Sequence, residues 1–204
     1  MYIPSFNKFE DQQQAISFMQ QYSFATIVSV KDGVPVATHL PFLVQQQDDK
    51  IILKAHFAKA NPQAKDGIGQ QVLVIFTEPH AYISPKNYEK PESVPTWNYL
   101  AVHAYGKCTL IEGEENKAAL LEETIKNYEL DYLNQWDSLP ADFRHKMMNG
   151  IVVFEIVVDD LQAKAKLSQN RTEKEQQNIV DDLSKSTDTV VKGIADYMSK
   201  ARNS

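Results

Sequence analysis

Hydrophobic and polar positions change period several times along the chain, and each change marks an element. Ala15, Ile16, Met19 and Tyr22 fall at helical spacing within "EDQQQAISFMQQY" and predict a short opening helix. "FATIVSV" is a β-rich apolar run, "KDG" supplies an Asp-Gly turn, and "VPVATHLPFLV" follows, which reads as a hairpin. "KIILKAHF" is a third strand after the polar turn "QQQDD". Asn61 as N-cap, Pro62 at the first helical position and the Gly67 and Gly69 pair bound a brief helix. "QVLVIFTEPHAYIS" returns to strand, with Pro79 marking a bulge or an edge.

Residues 85 to 96 hold three prolines and form a loop. The stretch "VPTWNYLAVHAYGK", continuing to "KCTLIE", is a strand whose two faces differ. Trp97, Tyr99, Ala101, His103 and Tyr105 occupy one face; Asn98, Leu100, Val102, Ala104 and Gly106 occupy the other. Ala118, Leu121, Ile125 and Tyr128 make a helical stripe, "ADFRHKMM" is a second helical piece, and "GIVVFEIVVDD" is the last strand. Thr172 with Glu175 forms a capping box. From there Ile179, Leu183, Thr187, Val190, Ile194 and Tyr197 extend a stripe through a C-terminal helix or pair of helices. Six strands with connections too short for repeated crossovers predict a mainly β fold, an antiparallel sheet or small barrel with attached helices.

Composition narrows the class. The 204 residues are 43% hydrophobic and 24% charged, enough to bury one core. A single cysteine, Cys108, precludes an internal disulfide, and no apolar run is long enough to span a bilayer. No secretory signal is visible at the N-terminus, so the cytoplasm is the expected location. A net charge of −6 argues against a surface given over to nucleic acid or anionic lipid. Two acid-free basic islands stand out: Lys50, Lys54, Lys59 and Lys65 with His56, and Lys164, Lys166 and Arg171.

There is no GxSxG elbow, phosphate-binding GxxxxGK[ST] loop, HExxH or CxxC, and "GIGQQV" lacks the third glycine of a dinucleotide fingerprint. The five histidines are far apart in sequence and no metal site is expected. His56, Lys59 and a helix starting at Asn61 could together seat a phosphate; an ordinary capped surface helix fits the same residues. The loop "KAKLSQNR" could clamp an anion or be solvated. The ring-bearing face of the Trp97 strand suits a flat ligand such as a nucleotide-like cofactor, or a subunit interface.

Several stretches together resemble the PaiB family of FMN-binding split-barrel proteins: "MYIP" at the start, "ATHLPF" at 37 to 42, "AHFAKANPQ" at 55 to 63, "ISP" at 83 to 85, "VPTWNYLAVHAYG" at 94 to 106 and "KLSQNR" at 166 to 171. The resemblance implies a six-stranded antiparallel split β-barrel over residues 1–171, with a helical extension at 172–204 packed on it. It implies a homodimer with FMN in the groove between subunits. On that implication Ala37, Thr38, His39 and Leu40 run beside the isoalloxazine, and His56, Lys59 and Asn61 hold the phosphate. Pro95, Thr96, Trp97 and Asn98 approach from the partner subunit, and Lys166 of the KLSQNR motif joins the cofactor residues. Lys59 stands where family members often carry arginine, which keeps the charge and loses the bidentate fork.

The family takes its name from a negative transcriptional role in protease synthesis and sporulation. Residues 172–204 carry five Lys/Arg against six Asp/Glu, so direct DNA binding through that segment is not expected. Two alternatives share the fold: a small flavin-dependent reductase, for which His39, His56 and His103 are candidate acids by residue type, and a haem-binding protein using His39 or His103.

Overall fold

The computed structural model describes residues 1–9 and 11–202. Glu10, at the start of the stretch read as the first helix, and Asn203 and Ser204, at the end of the expected extension, lie outside the described residues. Helix α1 (Gln12–Gln21) buries Ala15, Ile16 and Met19 of the predicted stripe and Phe18 as well, while Tyr22 lies half-buried just past its end. Strands β1 (Phe24–Lys31) and β2 (Val34–Pro41) form the expected hairpin, with Lys31 opposite Val34. Asp32 (φ 50°) and Gly33 (φ 79°) are both left-handed, as a two-residue turn matching strand twist requires.

The sheet has seven strands rather than six. The run "VPVATHLPFLV" is divided at Phe42 into β2 and β3 (Leu43–Gln47). β2 pairs with β1, whereas β3 pairs with β4 (Lys50–Ala58). Pro41 has no N–H to offer a ladder, and Phe42 donates its own N–H to Ser23 O at 2.9 Å. With β5 (Gln71–Ile83), β6 (Thr96–Leu110) and β7 (Ile151–Lys166), the order is β2-β1-β5-β6-β7-β4-β3. The first and last strands of that order are separated by one residue in the chain, so the sheet must curl. It does not close, because β2 and β3 remain edges; Pro35 and Pro41 lie on one of them, where a missing donor costs least.

The chain divides into two compact units. The central unit comprises Ile16–Phe76 and His103–Leu161 and contains part or all of every strand. Its interior is built on Phe42, Phe57, Phe76 and Phe154, each at most 1% exposed, with Phe57 and Phe154 stacked at 4.6 Å between centroids. Helices α3 (Glu114–Tyr128), α4 (Tyr132–Ser138) and α5 (Ala141–Asn149) belong to it. Leu120 packs with Leu43 and Val153. Helix α4 turns Tyr132, Leu133 and the buried Trp136 to one side.

The terminal unit comprises Met1–Ala15, Thr77–Val102 and the chain from Gln162 onward. Thr172 Oγ1 accepts the N–H of Glu175 at 3.2 Å and starts α6 (Glu173–Leu183). The long stripe seen in sequence is broken: Asp188 Oδ1 accepts Val190 N–H at 2.8 Å, restarting the chain as α7 (Thr189–Arg202). Of the predicted stripe Ile179, Leu183 and Ile194 are buried and Val190 and Tyr197 half-buried, while Thr187 is exposed in the break and Met198 joins the buried face.

Candidate functional site

In the central unit, β2 presents no fully buried side chain. Ala37 and His39 are exposed, Thr38 and Leu40 half-buried, and the His39 ring lies 6.4 Å from that of Phe24. His56 lies near the end of β4, opposite Val153, and burial lowers its pKa. Lys59 follows the strand; its N–H is fixed on Gly150 O at 2.8 Å. Its side chain is exposed and joins no ion pair among the described residues. The helix expected at Asn61 is a single turn, α2 (Gln63–Asp66), too short to carry a substantial dipole.

What Asn61 builds is a side-chain network. Its Oδ1 accepts Gln63 N–H at 2.9 Å, its Nδ2 donates to Thr38 Oγ1 at 3.0 Å, and Thr38 donates to Gln63 Oε1 at 2.6 Å. Gln63, 1% exposed, spends its amide N–H groups on Ser29 Oγ and the carbonyls of Ile27 and Val36. Two expected residues, Thr38 and Asn61, are thus brought together. Gln63, the last residue of "AHFAKANPQ", is a member of this network that no local sequence pattern singles out.

In the terminal unit, the alternation of β6 is kept from Trp97 to Leu100 and lost at Ala101, which is buried although it was expected on the ring-bearing face. Trp97 is 50% exposed and Tyr99 half-buried, while Asn98, Leu100 and Val102 are buried. Trp97 stands in an aromatic group with His80 and Tyr82, each ring 5.9 Å away, and Tyr82 is itself 51% exposed. His80 and Tyr82 went unmarked in sequence, though alternation in "EPHAYIS" puts them on one face. Asn98 is fully buried, with Nδ2 donating to Met198 Sδ at 3.5 Å and Oδ1 accepting from Ser168 Oγ at 3.1 Å. Its amide therefore holds structure.

Thr96 and Pro95 line a cavity of about 430 Å³ whose other walls include the second basic island. Lys164, Lys166 and Arg171 all reach it. Lys166 Nζ donates to Thr96 Oγ1. Lys164, 8% exposed, donates to Tyr2 O at 3.2 Å and lies 5.1 Å from the centroid of the Tyr99 ring. Burial, reinforced by the neighbouring Lys164 charge, lowers the pKa of Lys166, while Tyr99 opposes the shift. Lys164, Ala165 and Lys166, expected in a loop, instead end β7, because the strand runs on past the apolar run that announced it. The loop that follows is held by Ser168 in the left-handed region (φ 61°), with Leu167 N–H on Gln169 Oε1 at 2.8 Å and Arg171 N–H on Ser168 O at 3.0 Å.

The curled, open antiparallel sheet with C-terminal helices defines the class of split-barrel-like proteins. By fold alone it is similar to the FAD and heme binding protein from Mycobacterium smegmatis, at TM-score 0.60 and 16% identity over 78% of this chain and 73% of that one. It is similar also to the flavocytochrome Anf3 from Azotobacter vinelandii, at TM-score 0.62 and 16% identity over 80% and 72%. Sequence identifies the family. The chain belongs to the family described as "Putative FMN-binding domain", which matches residues 1–160, and thereby to the PaiB-type proteins it resembles. It is 40% identical to the Bacillus subtilis protease synthase and sporulation protein PAI 2 over 97% of this chain and 96% of that protein. It is 31% identical to an uncharacterized protein of Emericella nidulans over 71% of this chain and 73% of that one.

Proposed function

We propose that the protein is an FMN-binding homodimer of the PaiB type that takes part in regulation of protease synthesis and sporulation in the cytoplasm. The observation that carries the reading is the family match over residues 1–160, which covers the polar residues on β2 and after β4. Those residues suit the cofactor chemically. Lys59 offers a cation without a carboxylate partner among the described residues, and Asn61, Thr38 and the half-buried His56 offer polar groups nearby in sequence or by hydrogen bond. Bound flavin would supply one- or two-electron transfer.

On this reading Ala37, Thr38, His39 and Leu40 border the flavin ring, and His56, Lys59 and Asn61 hold its phosphate. Pro95, Thr96, Trp97 and Lys166 come from the partner subunit, with Asn98 positioning them from behind. Residues 1–171 carry the flavin region and 172–204 form the helical extension. A dimer is favoured by exposed apolar groups on the β1–β2 hairpin: Phe24 (69% exposed), Val30 (50%) and Val34 (62%). Helices α6 and α7 carry acids in their first turns or along their length, including Glu173, Asp181, Asp182 and Asp196, which disfavours a DNA-reading role for them.

The test is FMN titration of the purified protein, followed by flavin fluorescence and by sedimentation for mass. Quenching and a dimer mass are expected. Lys59→Ala should weaken uptake about tenfold, the loss of one charge-assisted phosphate contact. Trp97→Ala should weaken uptake or dimerisation without unfolding the chain. A monomer that leaves flavin fluorescence unchanged at about 1 mM FMN would sink the reading.

A further inference from the structure

The cavity of the terminal unit gathers three cationic side chains, of which Arg171 alone faces an acid among the described residues, Glu175 at 3.9 Å. Lys164, Lys166 and Arg171 line it, and among the described residues no Asp or Glu does. Neither lysine joins a salt bridge among the described residues. Lys164 is nine-tenths buried, yet among the described residues its ammonium meets a backbone carbonyl and the faces of Tyr99 and Tyr2, the latter centroid 6.0 Å away. Lys166 has the Thr96 hydroxyl. Removing ammonium groups from water is costly unless a counter-charge is present. Two of them converging on one cavity leave that cost only partly offset, and the lowered pKa of Lys166 records it.

The remaining walls are of a different kind. Tyr2, Phe6, Val94 and Pro95 are apolar or aromatic and exposed, while Asn7 and Ser168 are buried and polar. A cationic floor under ring-bearing walls selects a ligand with charge at one end and a flat apolar body at the other. The volume, about 430 Å³, is in the range of small-molecule sites. The rim is shaped by Ser168, whose left-handed backbone is held through its hydroxyl on Asn98. Non-glycine residues persist in that conformation where the surroundings over-determine them, which is common around ligand clamps.

We propose that this cavity binds a small ring-bearing anion, an aromatic carboxylate or phosphate monoester, as a second ligand besides any flavin, with Lys164 and Lys166 as its charge partners. Pro95, Thr96 and Lys166 are shared with the flavin reading, but the inference does not depend on flavin being bound.

The experiment is calorimetric titration of the FMN-free full chain with phenyl phosphate and benzoate, using benzyl alcohol and inorganic phosphate as controls. At least one ring-bearing anion should bind in the submillimolar range, and both controls should bind at least about tenfold more weakly. Lys166→Met should weaken binding about tenfold, and Lys164→Arg should retain more affinity than Lys164→Met. Thermal melts verify that each variant is folded; Lys166→Gln replaces Lys166→Met if the latter is not. Absence of binding at about 10 mM, or binding indifferent to the Lys166 changes, would overturn the proposal. So would inorganic phosphate binding as tightly as phenyl phosphate. Displacement of phenyl phosphate by saturating FMN would overturn it too, assigning the cavity to the flavin. Failure of the chain to take up FMN would leave this ligand's binding unaffected.

Discussion

Ser168 donates its hydroxyl to the side-chain carbonyl of Asn98 across 3.1 Å, joining the KLSQNR loop to the PTWNY strand within the terminal unit. Both groups are buried, Asn98 completely and Ser168 to 5% exposure. A broken bond here leaves an uncompensated polar group. Asn98→Ala should therefore lower stability by about 1–3 kcal/mol in urea unfolding. Ser168→Gly should cost less, since glycine relaxes the φ of 61° even as the hydroxyl is lost. Equal losses in the two variants would contradict this account.

Gly106 is required by close approach rather than by backbone dihedral. A Cβ placed there would sit 2.3 Å from Val157 O and 2.6 Å from Ile156 Cγ2, on the neighbouring strand β7. The carbonyl is backbone and can yield only if the strands separate. Gly106→Ala should destabilise the protein by about 1–3 kcal/mol or more, as overpacked cores do, and lower the melting temperature. An unchanged melt would refute the contact.

Acid stability follows from two histidines. Burial depresses the pKa of both His56 and His103 below the ordinary value of 6.5. Below that value the unfolded chain takes up protons that the native state refuses, so stability present at pH 7 falls as pH drops through the window beneath 6.5. Denaturant midpoints between pH 7 and 5 should decline, and His56→Gln with His103→Gln should flatten the decline. A slope identical in the double variant would assign it to carboxylates.

Cys108 is fully buried and its thiol is pushed up to about 12. The nucleophilic thiolate is therefore almost absent near neutrality. Native protein should resist a thiol-reactive dye at pH 8, and denatured protein should react at once. Rapid labelling of the native state would show that this strand opens locally.

Local chemistry in the sequence determined much of this protein. Asp32 and Gly33 fixed a left-handed hairpin turn, alternation fixed which side of β6 is buried, and Thr172 fixed the start of α6. Family motifs, being residue patterns, were legible for the same reason. These features depend on backbone preference and side-chain period over a few residues, so a one-dimensional reading suffices.

The tertiary structure decided the rest. The division at Phe42 turned six expected strands into seven, because a strand's partner is set by the whole sheet and by where a large ring finds its core, not by the run of apolar letters. Asn61, read as the cap of a helix, is joined to Thr38 and Gln63 in a network that exists only once β2 is laid beside it. Lys166 and Thr96 are 70 residues apart in sequence, and their meeting over a shared cavity with Lys164 depends on folding. Such convergence is a sum of long-range packing choices, and no local propensity encodes it.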